Sequence, residues 1–212
     1  EHRKKMSLAH AKREEKNIPM SKELKEILVG HLLGDGSLRG KSIYQARYYH
    51  HSKYSEYLDW IKNEFEKEGI KTTKTYHRYI FNAHTYNFNT ISTKQLGEIA
   101  RKWYGATLKG KKRLPKELQL NPEILLRWYL DDGSLKIVKV KKKKYYSIIL
   151  YTDGFTKKEV EFLIKELKKI GFSGKHQKSR NIIYIPSGEV SLFLKYIGKC
   201  PTDCYSYKWN IC

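Results

Sequence analysis

Two aspartates occupy matching places in this sequence and are the side chains best suited to do chemistry. Asp35 lies in Leu28-Val29-Gly30-His31-Leu32-Leu33-Gly34-Asp35-Gly36-Ser37-Leu38, and Asp132 in Leu125-Leu126-Arg127-Trp128-Tyr129-Leu130-Asp131-Asp132-Gly133-Ser134-Leu135. Both runs end in Asp-Gly-Ser-Leu, and the acids stand 97 residues apart, 132 minus 35, close to half of the 212-residue chain. One Asp-Gly is an ordinary helix end followed by a turn. A carboxylate there is opposed by the helix macrodipole, so having it twice calls for a compensating cation. Two adjacent carboxylates repel unless divalent metal lies between them, and that arrangement suits phosphodiester cleavage.

The elements that would position these acids also repeat. Leu24, Ile27, Leu28, His31 and Leu32 follow i, i+3, i+4, i+7, i+8 spacing, which predicts a helix with one buried stripe. Gly30 and Gly34 sit one turn apart on another edge. Glycine inside a helix costs about 1 kcal/mol relative to alanine, so the pair suggests close approach of a second backbone, that of the second motif helix. Downstream of each acid come basic, Tyr-rich stretches of strand character, then an amphipathic helix closed by glycine: 54–68 before Gly69 and 157–170 before Gly171. Asn121-Pro122 is an N-cap with an N1 proline, Thr156 with Glu159 forms a capping box, and Asp153-Gly154 reads as the turn into that helix. Further extended segments are expected at 71–79, 81–90, 175–179 and 182–185, and last helices at 93–104 and 190–197. Each half thus reads αββαββα, an α+β unit with a curved antiparallel sheet. The expected divisions are a basic arm (1–20), a first half (21–105), a linker (106–120) and a second half (121–212).

Forty-three Lys and Arg against 22 Asp and Glu give a formal charge of +21, a self-repulsion that a polyanion would relieve. Basic residues interleaved with 17 Tyr and 4 Trp differ from a disordered lysine tail and leave nucleic acid as the natural partner, although ribosomal proteins share such a composition. No apolar run of about 18 residues is present to span a bilayer, and no signal-peptide core follows Glu1-His2-Arg3-Lys4-Lys5, so a soluble intracellular protein is expected. The three cysteines, Cys200, Cys204 and Cys212, imply no disulfide framework, and Cys200-Pro-Thr-Asp-Cys204 lacks the second pair of a zinc site.

The two stretches resemble the duplicated motif of the LAGLIDADG homing endonucleases, in the single-chain, two-motif subgroup, and the resemblance runs over about residues 21–209. It implies two pseudo-symmetric units forming a DNA-binding saddle, and a monomer acting on a long asymmetric duplex site in an organelle or a prokaryotic cytoplasm. Asp35 and Asp132 match the metal-binding acidic position, with Gly34 and Asp131 as further candidate donors and Mg²⁺, or Mn²⁺ in its place, as the cofactor. Lys112 and Lys208 match two basic residues near the metal centre; the alternative is that each is one of many phosphate-contacting lysines. Arg127 and Asp131 depart from the small residues usual at their positions.

Base reading would fall to two-stranded ribbons, which fit the major groove and present alternate side chains. Candidate rows are Gln45, Arg47 and Tyr49 with Arg39 and Lys41; Lys74, Tyr76 and Arg78; Lys136, Lys139, Tyr145 and Ser147; and Lys175, Gln177 and Ser179. Solvated polar faces are the competing account of each row. Two other functions compete with cutting: a related maturase or regulator that binds intron RNA or DNA without cleavage, and a basic RNA-binding structural protein.

Overall fold

The computed structural model describes residues 20–80 and 83–211. The expected arm lies outside the described residues apart from Met20, which is buried in the core. That half runs α1 (Lys22–Leu33), β1 (Ser37–Ser42), β2 (Gln45–Ser52), α2 (Ser55–Lys67), β3 (Tyr76–Ile80), β4 (Ala83–Asn89) and α3 (Lys94–Tyr104). After the linker the order recurs as α4 (Pro122–Asp132), β5 (Gly133–Val140), β6 (Lys143–Tyr151), α5 (Lys157–Lys169), β7 (Lys175–Gln177), β8 (Ile182–Ile185) and α6 (Val190–Ile197). A 3-10 segment, Asp203–Trp209, follows. Both halves are αββαββα. Their antiparallel sheets have matching orders, β1-β2-β4-β3 and β5-β6-β8-β7.

Local chemistry sets the helix starts. The Ser21 hydroxyl accepts from Leu24 N–H, Thr93 from Leu96 N–H, and the Asn121 side chain from Ile124 N–H, with Pro122 in the first turn where a missing donor costs nothing. Thr156 and Glu159 form the full reciprocal capping box. Strand alternation then divides each sheet. Ala46, Tyr48, His50, Ser52 and Phe88 face the helices of the first half, as Ile148, Leu150, Ile183 and Ile185 do in the second. The opposite faces carry polar and basic side chains. A continuous core joins the halves through α1 and α4, including Leu28, Leu32, Leu125 and Trp128.

Candidate active site

The acids are set by the crossing of α1 and α4. A Cβ added at Gly30 would lie 2.6 Å from Arg127 Cβ, and one at Gly34 would lie 2.3 Å from Asp131 Cβ. Each glycine therefore accepts a larger side chain from the other helix. Arg127 and Asp131 pack against the two glycines, so close approach needs small residues on only one side. Asp132 is the last residue of α4, and Asp35 follows Gly34, the cap of α1. Asp132 lines a cleft of about 400 Å³ together with Gly34, Lys112, Thr152 and Asp153. Asp153 also serves in the expected turn before α5.

Lys112 and Lys208 are fixed at the C-terminal ends of the same helices. Lys112 Nζ donates to the carbonyls of Gly34 (2.5 Å) and Gly36 (3.1 Å), and Lys208 Nζ to those of Tyr129 (3.1 Å) and Leu130 (2.6 Å). Helix C-termini carry partial negative charge, so these ammonium groups supply the cations that paired terminal acids require. The Gly34 carbonyl, a candidate metal donor, is thereby already engaged by Lys112. The two lysines differ in exposure. Lys112 is half-buried at the cleft, whereas Lys208 is buried, beneath the Tyr129 and Tyr205 rings. Both halves contribute to holding them. In the linker, Arg113 N–H donates to Trp103 O of the first half, and Leu114 N–H to Glu159 Oε1 of the second. In the 3-10 segment, Tyr205 packs on Tyr54 and Tyr57, and Asp203 N–H donates to Glu56.

Electrostatics single out the two acids. Asp35 reaches solvent on one side, yet the surrounding protein strips much of its hydration; with Asp131 and Asp132 nearby, this pushes its pKa up to about 8 against the pull of Lys112 and Lys208. Burial, with Asp131 next, pushes Asp132 up to about 6. Desolvation takes Lys208 down to about 8 and lowers Lys112, the acids opposing it in both cases. Carboxyls and ammonium groups crowded in this way gain from a bound cation and a bound phosphate. Asp132 on the cleft and the solvent-exposed Asp35 are hard oxygen donors of the kind that fit Mg²⁺.

Asp131 requires a correction. Its carboxylate turns into the first half, away from the cleft, where Oδ2 meets His31 Nδ1 at 3.0 Å and Oδ1 accepts from Tyr57 OH at 2.5 Å and lies 3.5 Å from His50 Nε2. With both oxygens taken in a fully buried pocket, it is not placed as a ligand beside Asp35. Burial alone would raise its pKa, but His50, His31 and the Tyr57 hydroxyl outweigh that and keep the carboxyl below its usual range. His50, accepting from or donating to Tyr48 OH at 2.6 Å, is pushed by burial down to about 3 and stays neutral. The Arg127 guanidinium lies 3.7 Å over the Trp60 ring and pairs with Glu123. Sequence reasoning missed this cluster; its signals were a histidine in the apolar stripe of α1 and another at a core position of β2.

The outer sheet faces bring most of the expected rows together. Arg39 pairs with Arg47, Tyr49 with Asn89 and Arg78 with Thr85, placing Arg39, Gln45, Arg47, Tyr76 and Arg78 on one face, joined by His51, Asn87 and Asn89, which sequence reasoning did not pick out. Lys41 lies beyond a register shift in β1, and Lys74 precedes β3. Tyr49 has the expected direction but lies buried beneath Arg39, whose guanidinium is 3.4 Å from the ring centre. It supports Arg39. In the second sheet Lys136 pairs with Ser147 and Val138 with Tyr145, while Lys175 and Gln177 pair with Tyr184 and Ile182 on the same face. Lys139, opposite Lys144, points to the other face because strand side chains alternate, and Ser179 lies in the β7–β8 turn. Cys200 and Cys204 are free thiols donating to Thr202. Cys212 lies outside the described residues. Among the described residues, no helix is long and apolar enough to cross a membrane.

Residues 25–193 match the family model described as the LAGLIDADG DNA endonuclease family. A protein of Methanocaldococcus jannaschii is 30% identical over 177 residues, 78% of this chain and 64% of that protein, so the match spans less than two thirds of that relative's length. A probable intron-encoded endonuclease of Wickerhamomyces canadensis is 30% identical over 206 residues, 91% of this chain and 87% of that protein. Among solved structures, the homing endonuclease I-WcaI bound to its DNA recognition sequence superposes with a TM-score of 0.74 at 28% identity, covering 89% of this chain and 86% of that one.

Proposed function

Since the chain belongs to the LAGLIDADG DNA endonuclease family, we propose that it is a site-specific homing endonuclease that acts as a monomer on a long asymmetric duplex and hydrolyses both strands with divalent metal held by Asp35 and Asp132. One observation carries this reading: two acids at the ends of crossing helices, both with raised pKa and each backed by a lysine on the same helix end. When bound, Mg²⁺ would activate water and neutralise charge on the phosphate. Asp35 and Asp132 would supply its oxygen donors, Asp35 giving up the proton that its surroundings otherwise make it keep at neutral pH. Lys112, at the cleft, is the lysine placed to meet a scissile phosphate. Lys208, buried on the carbonyls of α4, acts as a positioning residue whose charge offsets that building up on the phosphorane. The two outer sheet faces would lie along the major groove, with their lysines and arginines on the backbone and base edges. I-WcaI, the similar structure, is bound to its DNA recognition sequence, which supports this placement.

The test is Mg²⁺-dependent cleavage of a randomised duplex library with sequencing of the cut ends, comparing wild type with Asp35→Asn and Asp132→Asn. The expected result is defined double-strand breaks with short 3′ overhangs, lost in either variant. Tight, metal-independent binding with no cutting by the wild type would replace this reading with that of a non-cutting DNA or RNA binder.

A further inference from the structure

The two sheets offer different chemistry to the same duplex. On the first, the outward face of β1–β2 and β3 is led by Arg39, Arg47 and Arg78, with the Tyr49 ring holding Arg39 flat. Planar guanidinium groups pair in bidentate fashion with the O6 and N7 acceptors of guanine. On the second, the β5–β6 hairpin projects from the body and places Val138, Val140 and Tyr145 on its outward face, 42%, 51% and 48% exposed, with Val138 directly opposite Tyr145. Such a patch is costly in water for a chain of this charge. Lys136 and Lys143 share its face, so the patch lies inside a basic surface and its partner must be both anionic and apolar. In duplex DNA the phosphates are the anion, and the apolar group of the major groove is the C5 methyl of thymine.

We propose, on the basis of the homing-endonuclease reading above, that Val138, Val140 and Tyr145 read thymine methyl groups, and that the recognition site is chemically divided: thymine-bearing, A·T-rich sequence beneath β5–β6, and guanine-bearing sequence beneath the arginines of the first sheet. No base hydrogen bond is needed in the apolar stretch, because a methyl buried against valine distinguishes thymine from cytosine by surface removed from water. A buried methyl corresponds to roughly a fourfold change in affinity per thymine.

The experiment selects bound duplexes from a randomised library with Ca²⁺ in place of Mg²⁺, then remakes the selected site with deoxyuridine for thymine in one half at a time. The expected result is that uracil in one half weakens binding about fourfold per replaced thymine, that uracil in the other half has little effect, and that the sensitivity disappears in Val138→Ala/Val140→Ala. Both valines are exposed, so the variant keeps its fold. A second variant, Val138→Arg, should move the selected preference at one position of that half from thymine to guanine. Selection of a defined site whose two halves respond equally to uracil, or whose sensitivity survives the valine substitutions, would overturn the division while leaving the endonuclease reading intact. Failure to select any duplex would overturn both.

Discussion

The two motif helices have the same length of repeat and opposite contents at their crossing. α1 offers Gly30 and Gly34, while α4 offers Arg127 and Asp131 at the corresponding positions 97 residues on. A symmetric crossing would use small residues on both sides. Here each contact point has one, and the larger partner spends its length inside the other half: Asp131 reaches His31 and Tyr57, and Arg127 covers Trp60. Close approach therefore depends on the sum of side-chain sizes across the contact, which leaves one copy free to carry a polar group into its neighbour's core. The duplicated halves have thus become unlike and mutually dependent.

The largest effect should separate the adjacent acids. Asp132→Asn is expected to lower the cleavage rate by roughly a thousandfold with thermal stability kept, since burial and Asp131 disfavour the charge that the substitution removes. Asp131→Asn should do the reverse, costing about 2–3 kcal/mol in urea unfolding by leaving donors on a buried site mismatched. If Asp131→Asn abolished cleavage without loss of stability, Asp131 would belong to the metal centre after all. Next, Gly30→Ala should destabilise by about 1–3 kcal/mol through overpacking on Arg127, and exchanging the sizes in Gly30→Ala/Arg127→Gly should relieve that overpacking, leaving the loss of the Arg127 contacts as the residual cost.

A smaller effect concerns pH. A carboxyl whose folded pKa is raised stabilises the fold at low pH and loses that contribution as pH climbs through the raised value. For Asp35, raised to about 8, the metal-free protein should lose stability between about pH 4 and pH 8. The loss should be about 1 kcal/mol, well below the unscreened figure, because water reaches Asp35. Melting curves across that range should flatten in Asp35→Asn, and Mg²⁺ should restore the wild-type loss. The smallest change is Tyr57→Phe, which removes one donor to Asp131 and should cost about 1 kcal/mol in urea unfolding, with Asp132-dependent cleavage retained.

Much of this was legible in the sequence because repetition and local capping are written in order along the chain. The Asp-Gly pairs, the Gly30–Gly34 spacing, the Thr156–Glu159 box and Asn121-Pro122 each signal a feature through neighbouring residues. The contacts of Asp131 were hidden because they join α4 to α1, β2 and α2, and no local spacing encodes such a meeting. Lys139 was misassigned for another reason. The basic run 141–144 shows no alternation, and only the pairing of Lys136 with Ser147 fixes the parity that turns Lys139 away. Tyr49 was assigned the correct face, but the covering Arg39 comes from the neighbouring strand.

The seat of Lys208 has a consequence for synthesis. Its 3-10 segment closes over α4 and rests on Tyr54 and Tyr57, so both acids emerge from the ribosome well before Lys208 is in place. A nascent chain ending before residue 203 leaves the end of α4 without its counter-charge. The order of synthesis thus places the counter-charge of α4 after both of the acids it stands behind.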